Sequence, residues 1–160
     1  MPNAMLEGST ITNLRLAEAF LERGRERLDA LAALRQEADF SDIIREARDI
    51  VSLCFRGMLR AAGVEVARWR DPGEVLVESV TRLPGDVRSH RERLTEIYRD
   101  LSRERYESLP EEGGHLAEKV LMADADRAIS EATWVVTLTQ QTIDRAANRK
   151  VPASPASLFR

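Results

Sequence analysis

Between Ser41 and Gly63 the apolar residues fall at Ile43, Ile44, Ala47, Ile50, Val51, Cys54, Phe55, Met58 and Leu59, a succession of three- and four-residue steps. That spacing predicts a helix with one broad apolar face, and every other periodic segment reads as something packed against it. Asp39 or Ser41 can cap its start. Gly63, after Arg60-Ala61-Ala62, supplies the residue without a Cβ that a left-handed C-terminal cap prefers. Upstream, Thr12 can cap a first helix whose apolar side is Leu14, Ala17, Phe20, Leu21, Leu28, Leu31 and Leu34, with residues 1–11 as a frayed lead-in. Gly24 interrupts that helix at a cost of about 1 kcal/mol relative to Ala and permits close approach of a neighbour.

Downstream, the alternation from Val64 to Arg70 has no partner strand elsewhere and reads as an extended connection or a helical turn. Asp71-Pro72-Gly73-Glu74 is a helix start, with Asp as N-cap and Pro at the first helical position. A short helix follows, with Val75, Leu76, Ser79, Val80 and Leu83 inward, ended by Pro84-Gly85. Asp86 can cap a fourth helix to about Ser108, striped by Val87, His90, Leu94, Ile97, Tyr98 and Leu101. A fifth runs from about His115 to Ala147, with Leu116, Val120, Leu121, Ala128, Ile129, Ala132, Val135, Val136, Thr139 and Ile143 inward. The tail, with Pro152, Pro155 and no acid, is expected to be disordered. The fold expected is all-α: an antiparallel up-and-down bundle of five helices over residues 12–147, followed by a tail at 148–160.

A chain of 160 residues suits one domain, and a net charge of −3 removes any global pull toward nucleic acid or an anionic membrane. The 24 basic residues include only two lysines, Lys119 and Lys150. So many guanidiniums fit either compositional bias or a grip on phosphates through their planar fork of donors. Cys54, alone on an apolar face, reads as a small buried hydrophobe rather than a nucleophile. No stretch approaches a membrane span and the N-terminal pattern is not that of a signal peptide, so a cytoplasmic location is expected.

Metal and nucleophile chemistry find little support. Glu112-Gly113-Gly114-His115 is a lone Glu-x-x-His in a glycine-containing loop, where a di-iron bundle needs two such pairs and two further carboxylates. His90 has no ligand at helical spacing and reads as a histidine satisfied at a helix–helix contact. No nucleophile elbow or phosphate-binding glycine loop occurs, so no cofactor or metal is expected and no residue is assigned as catalytic. What remains is the C-terminal end of the fourth helix, where the inward stripe turns polar. Arg99, Arg103 and Tyr106 share one face, while Glu104 and Arg105 continue the inward stripe. These residues fit a solvated end with Glu–Arg pairs, or a phosphate contact with Arg105 as bidentate donor and Tyr106 as a stacking ring. Arg56 and Arg60, at i, i+4 on the edge of the central helix, line the same cleft or snorkel along the surface. Arg23 reads as part of a plain charged face, so Arg105→Ala is expected to weaken ligand binding more than Arg23→Ala.

The pattern Ala47…Phe55-Arg56-Gly57-Met58-Leu59…Gly63 is similar to the second-helix signature of the HEPN (higher eukaryotes and prokaryotes nucleotide-binding) domains. Leu101-Ser102-Arg103-Glu104-Arg105-Tyr106 resembles that family's later Arg-rich, Tyr-containing element, and the long closing helix also fits, over residues 14–145 in all. The resemblance implies a helical bundle that dimerises and associates with a nucleotidyltransferase-type partner in toxin–antitoxin or defence settings. Catalytic members are metal-independent ribonucleases with an arginine followed four to six residues later by a histidine. Here the positions after Arg103 or Arg105 hold no histidine until His115, so half of the acid–base chemistry is missing. The expected function is therefore a non-catalytic HEPN-like module, a homodimer with Trp69 and Trp134 off the main stripes, binding a nucleotide, RNA or protein partner. The alternatives are an active ribonuclease toxin, with its histidine from His115 or across a dimer, and a purely structural adaptor bundle.

Overall fold

The computed structural model describes residues 2–37, 40–102 and 114–150, and among these every regular element is helical. They are α1 (Pro2–Leu34), α2 (Phe40–Ala61), α3 (Pro72–Glu78), a 3-10 turn (Val80–Arg82), α4 (Gly85–Arg88), α5 (Arg91–Asp100) and α6 (Gly114–Lys150). At a rise of 1.5 Å per residue, the 33-residue α1 is about 50 Å long and the 37-residue α6 about 56 Å. They are the two outer walls against which the rest is built.

α2 packs against both α1 and α6, which also touch each other. Twelve of its residues are buried, including all nine predicted from the apolar steps together with Leu53, Gly57 and Ala61. A helix buried on so much of its circumference belongs at the centre. Ordered contacts give the directions. Arg27 of α1 meets Glu46 and Asp49 of α2, whereas Gly57 lies beside Ala17 and Phe20, so α1 and α2 are antiparallel. Arg25 reaches Gln140 and Arg35 reaches Asp126, so α1 and α6 are antiparallel too. Asp86 before α5 meets Thr142 and Arg145, and His90 and Arg93 meet Trp134, so the α4–α5 rod opposes α6. The result is the up-and-down bundle expected, with α3 inserted between its second and third rods.

Small residues set the closest approaches. A Cβ on Gly57 would stand 3.3 Å from the Ala17 carbonyl oxygen and 3.6 Å from Thr139 Cγ2, so α1, α2 and α6 converge there. Gly24 lets α1 down onto Cys54, whose Sγ lies 3.5 Å from where a Cβ would be. The close approach read from Gly24 is therefore present.

Four boundaries differ from the sequence reading. α1 begins at Pro2, so Thr12 lies inside it rather than capping it: proline is tolerated in the first turn, and no stronger breaker follows. Ser41 likewise falls inside α2, and Asp39 lies outside the described residues. The predicted fourth helix is broken into α4 and α5. Ser89 Oγ donates to the Asp86 carbonyl at 3.0 Å and His90 takes φ −105°, ψ 11°, a bridge conformation that ends one helix and starts the next. α5 then stops at Asp100, well short of Ser108. Leu34, placed on the apolar side by periodicity, is 43% exposed.

Candidate functional site

α1 presents Leu16, Phe20 and Arg23, and α2 presents Leu53, Arg56 and Arg60, each set in steps of three and four that keep it on one helix face. A third wall comes from the chain leaving α2. Gly63, at φ +78°, closes the helix: its N–H donates to the Arg60 carbonyl at 2.9 Å, and the Val64 N–H donates to Leu59 at 2.8 Å. These two bonds form a Schellman closure, which turns the chain back and buries Val64. Val64, Glu65, Val66 and Arg68 then complete a groove of about 490 Å³, with the buried Leu53 and Val64 as its apolar floor, Arg23 and Arg68 exposed, and Arg60 largely buried.

The charge here opposes that of the chain. Four guanidiniums, Arg23, Arg56, Arg60 and Arg68, face one carboxylate, Glu65, in a protein whose net charge is −3. Arg56 Nη2 donates to the Arg70 carbonyl at 3.3 Å, a neutral partner. Arg60 is only 20% exposed on its side chain, approaches Glu65 at 3.6 Å, and buries Nε without a hydrogen-bond partner among the described residues. Arg23 and Arg68 form no ion pair or hydrogen bond among the described residues. Elsewhere guanidiniums meet acids closely: Arg27 with Glu46 at 2.6 Å, Arg35 with Asp126 at 2.5 Å and Arg70 with Glu78 at 2.8 Å. The hydrogen bond that Arg27 donates to Glu46, with the charges of Glu46 and Asp49, holds the Arg27 pKa above its usual value against burial. Of the groove cations only Arg60 has a carboxylate partner among the described residues, and that a long one, so Arg23, Arg56 and Arg68 retain the capacity to bind an anion.

Arg99 does not share this groove. It sits on α5 beside two adjoining hollows of about 390 and 370 Å³ between α3 and α5, lined by Leu76, Val77 and Thr95 in common. Asp71, Glu74, Glu78, Glu92 and Glu96 also line them, so the surroundings of Arg99 are acidic. The wall between the two regions is firmly built. The N-cap carboxylate of Asp71 accepts the Gly73 N–H at 3.0 Å and the Tyr98 hydroxyl, while the Tyr98 ring stacks on Phe55 at 5.2 Å. A Cβ on Gly73 would overlap the Tyr98 ring. Burial, then the bond to Asp71, pushes the Tyr98 phenol up to about 12. Arg103, Glu104, Arg105 and Tyr106 lie outside the described residues.

The remaining chemical groups have structural roles. Cys54 is fully buried, and its desolvation pushes the thiol pKa up to about 12, so it is a core residue without a nucleophilic thiolate. His90 is exposed and meets the edge of Trp134 at 5.2 Å, while the Arg93 guanidinium covers the same ring at 3.7 Å from its centroid. It thus does stand at a helix–helix contact. Trp134 is half-buried by these two residues of its own chain, whereas Trp69 is 85% exposed. Among the described residues no three His, Cys, Asp or Glu side chains gather as a metal site, and no helix is long and apolar enough to cross a membrane.

Sequence reasoning offered Arg56 and Arg60 either as lining the cleft of the fourth helix or as snorkelling; the structure separates them from Arg99 and groups them with Arg23 and Arg68, which that reasoning missed. The available signal was that Arg23 closes the stripe Leu16-Phe20-Arg23 as Arg60 closes Leu53-Arg56-Arg60. Arg68 carries no periodic signal, because the turn after Gly63 brings it in. Comparison with known protein families, with curated proteins and with solved structures finds no match to this chain.

Proposed function

We propose that this chain is a non-catalytic, HEPN-like helical module that binds a phosphate-bearing ligand, a nucleotide or RNA, in the groove of Arg23, Arg56, Arg60 and Arg68. The observation that carries the reading is the concentration of four guanidiniums against one carboxylate on an otherwise acidic protein. Guanidinium forks suit phosphate oxygens, and the apolar floor suits the less polar part of a nucleotide. The non-catalytic half rests on the missing histidine after Arg103 or Arg105. The nucleotidyltransferase-type partner and the toxin–antitoxin setting belong to the HEPN resemblance, and copurification with a neighbouring nucleotidyltransferase tests them; the homodimer rests on that resemblance and on Trp69 and Trp134, with light scattering as its test, and the cytoplasmic location rests on the hydropathy pattern of the sequence.

The direct test is fluorescence anisotropy of a short labelled single-stranded RNA across a salt series. Engagement of up to four phosphates gives a log–log salt slope approaching about −3, and each arginine removed lowers its magnitude by about 0.7. Arg23→Ala and Arg68→Ala should each weaken binding and flatten the slope. Arg127→Ala, which removes a surface partner of Asp124 on α6, should do neither. Binding that ignores salt, or groove variants indistinguishable from Arg127→Ala, would overturn the proposal.

A further inference from the structure

We infer that Trp69 is a base-stacking platform at the mouth of the arginine groove, which makes single-stranded nucleic acid the ligand class of this site; the inference rests on the groove's being a phosphate site. Trp69 is 85% exposed, the most exposed of the large apolar side chains among the described residues. Leaving an indole in water forgoes burial that a core position would have gained. Its setting is nonetheless fixed. The Arg70 N–H donates to the Ala67 carbonyl at 3.0 Å, closing a tight turn with Arg68 and Trp69 at its corners. The exit of that turn is tied down twice, by Arg56 donating to the Arg70 carbonyl and by Arg70 pairing with Glu78 at 2.8 Å.

The Cα of Trp69 thereby stands one step, about 3.8 Å, from that of Arg68 in the groove wall, on a turn fastened to Arg56 of the same groove. A phosphate held by Arg68 and a base laid on Trp69 can belong to one strand. Bases in a duplex stack on one another and do not offer their faces, so an exposed indole beside phosphate-binding arginines selects unpaired strands. A protein-docking hot spot would place the indole within an apolar surround. Trp69 instead has Arg68 and Arg70 as its chain neighbours and a net positive groove beside it.

The test compares two probes of equal charge, a single-stranded uridine oligomer and the same phosphodiester backbone without bases. Wild-type protein should bind the base-bearing strand about five- to tenfold more tightly, with quenching of tryptophan emission. Trp69→Ala should abolish that preference and the quench while leaving affinity for the abasic strand unchanged, and Trp69→Phe should restore most of the preference. Trp134 does not confuse the signal, since Arg93 and His90 cover it. Equal binding of both strands by wild type, or a preference that survives Trp69→Ala, overturns the stacking role while leaving the groove reading intact. Failure of both strands to bind overturns both readings. A change in oligomeric state on Trp69→Ala without any change in strand preference assigns the ring to a protein interface and overturns the inference.

Discussion

Replacing Asp71 by alanine removes two hydrogen bonds that converge on one carboxylate oxygen. The first is the N-cap bond to the Gly73 N–H at 3.0 Å, and loss of such a cap costs about 0.5–2 kcal/mol. The second is the Tyr98 hydroxyl, which loses a charged acceptor worth about 1.5–3 kcal/mol when fully buried. Tyr98 is half-buried, so water replaces part of that bond and the low end applies. The two losses together come to about 2–3.5 kcal/mol, a large share of the 5–15 kcal/mol that ordinarily holds a domain together. Urea unfolding measures it, with the slope unchanged if only stability has altered. Asp71→Asn keeps an oxygen for both donors and should lose less than half as much. The decisive comparison is a double-mutant cycle with Tyr98→Phe, which keeps the ring on Phe55 and removes only the hydroxyl. A coupling of about 1–2 kcal/mol is expected. A coupling of zero, with Tyr98→Phe costing the same whether or not Asp71 is present, would refute the view that this carboxylate joins α3 to α5.

Two further outcomes follow from local geometry. Gly63→Ala should cost about 1–2 kcal/mol in the same urea assay, because φ is +78° and an added Cβ meets nothing within 4 Å, leaving backbone strain as its whole effect. A loss under a few tenths would show that the closure of α2 does not depend on the left-handed turn. The Tyr98 phenol, raised in the folded state from 10.0 to about 12 by burial and the Asp71 carboxylate, should contribute stability that is intact below pH 10 and lost as the pH climbs toward 12. Ultraviolet difference titration checks it. The late-ionising tyrosine should vanish in Tyr98→Phe, whereas a titration unchanged by that substitution would refute the assignment.

The features legible in the sequence were those dictated by short-range rules. The steps from Ile43 to Leu59 require a helix, Gly63 requires its end, and Asp71-Pro72 requires a new start; each stands where those rules put it. What escaped depends on competition or on distance. The break at Ser89-His90 is a contest between a side-chain hydroxyl and the helix ladder, which periodicity does not register. The groove is a long-range product. Arg23 looked like part of a solvated face because a helix pattern does not say which charged residues a later connection will enclose, and Arg68 joins it only because the Schellman closure folds the chain back. Arg23 is exposed on that charged face, as read, and also lines the groove.

Every residue of the arginine groove lies between positions 16 and 68, so a helical hairpin and its trailing turn supply all of it, with nothing from the distant α6. Such local pairs form early, since little loop-closure entropy opposes them, whereas α6 must return across half the chain before it docks. Occupancy of the groove would thus favour the hairpin before the bundle closes, adding RT ln(1 + [L]/Kd) to any state in which that hairpin is formed. A ligand bound there acts on assembly of the first half of the chain as well as on the finished protein.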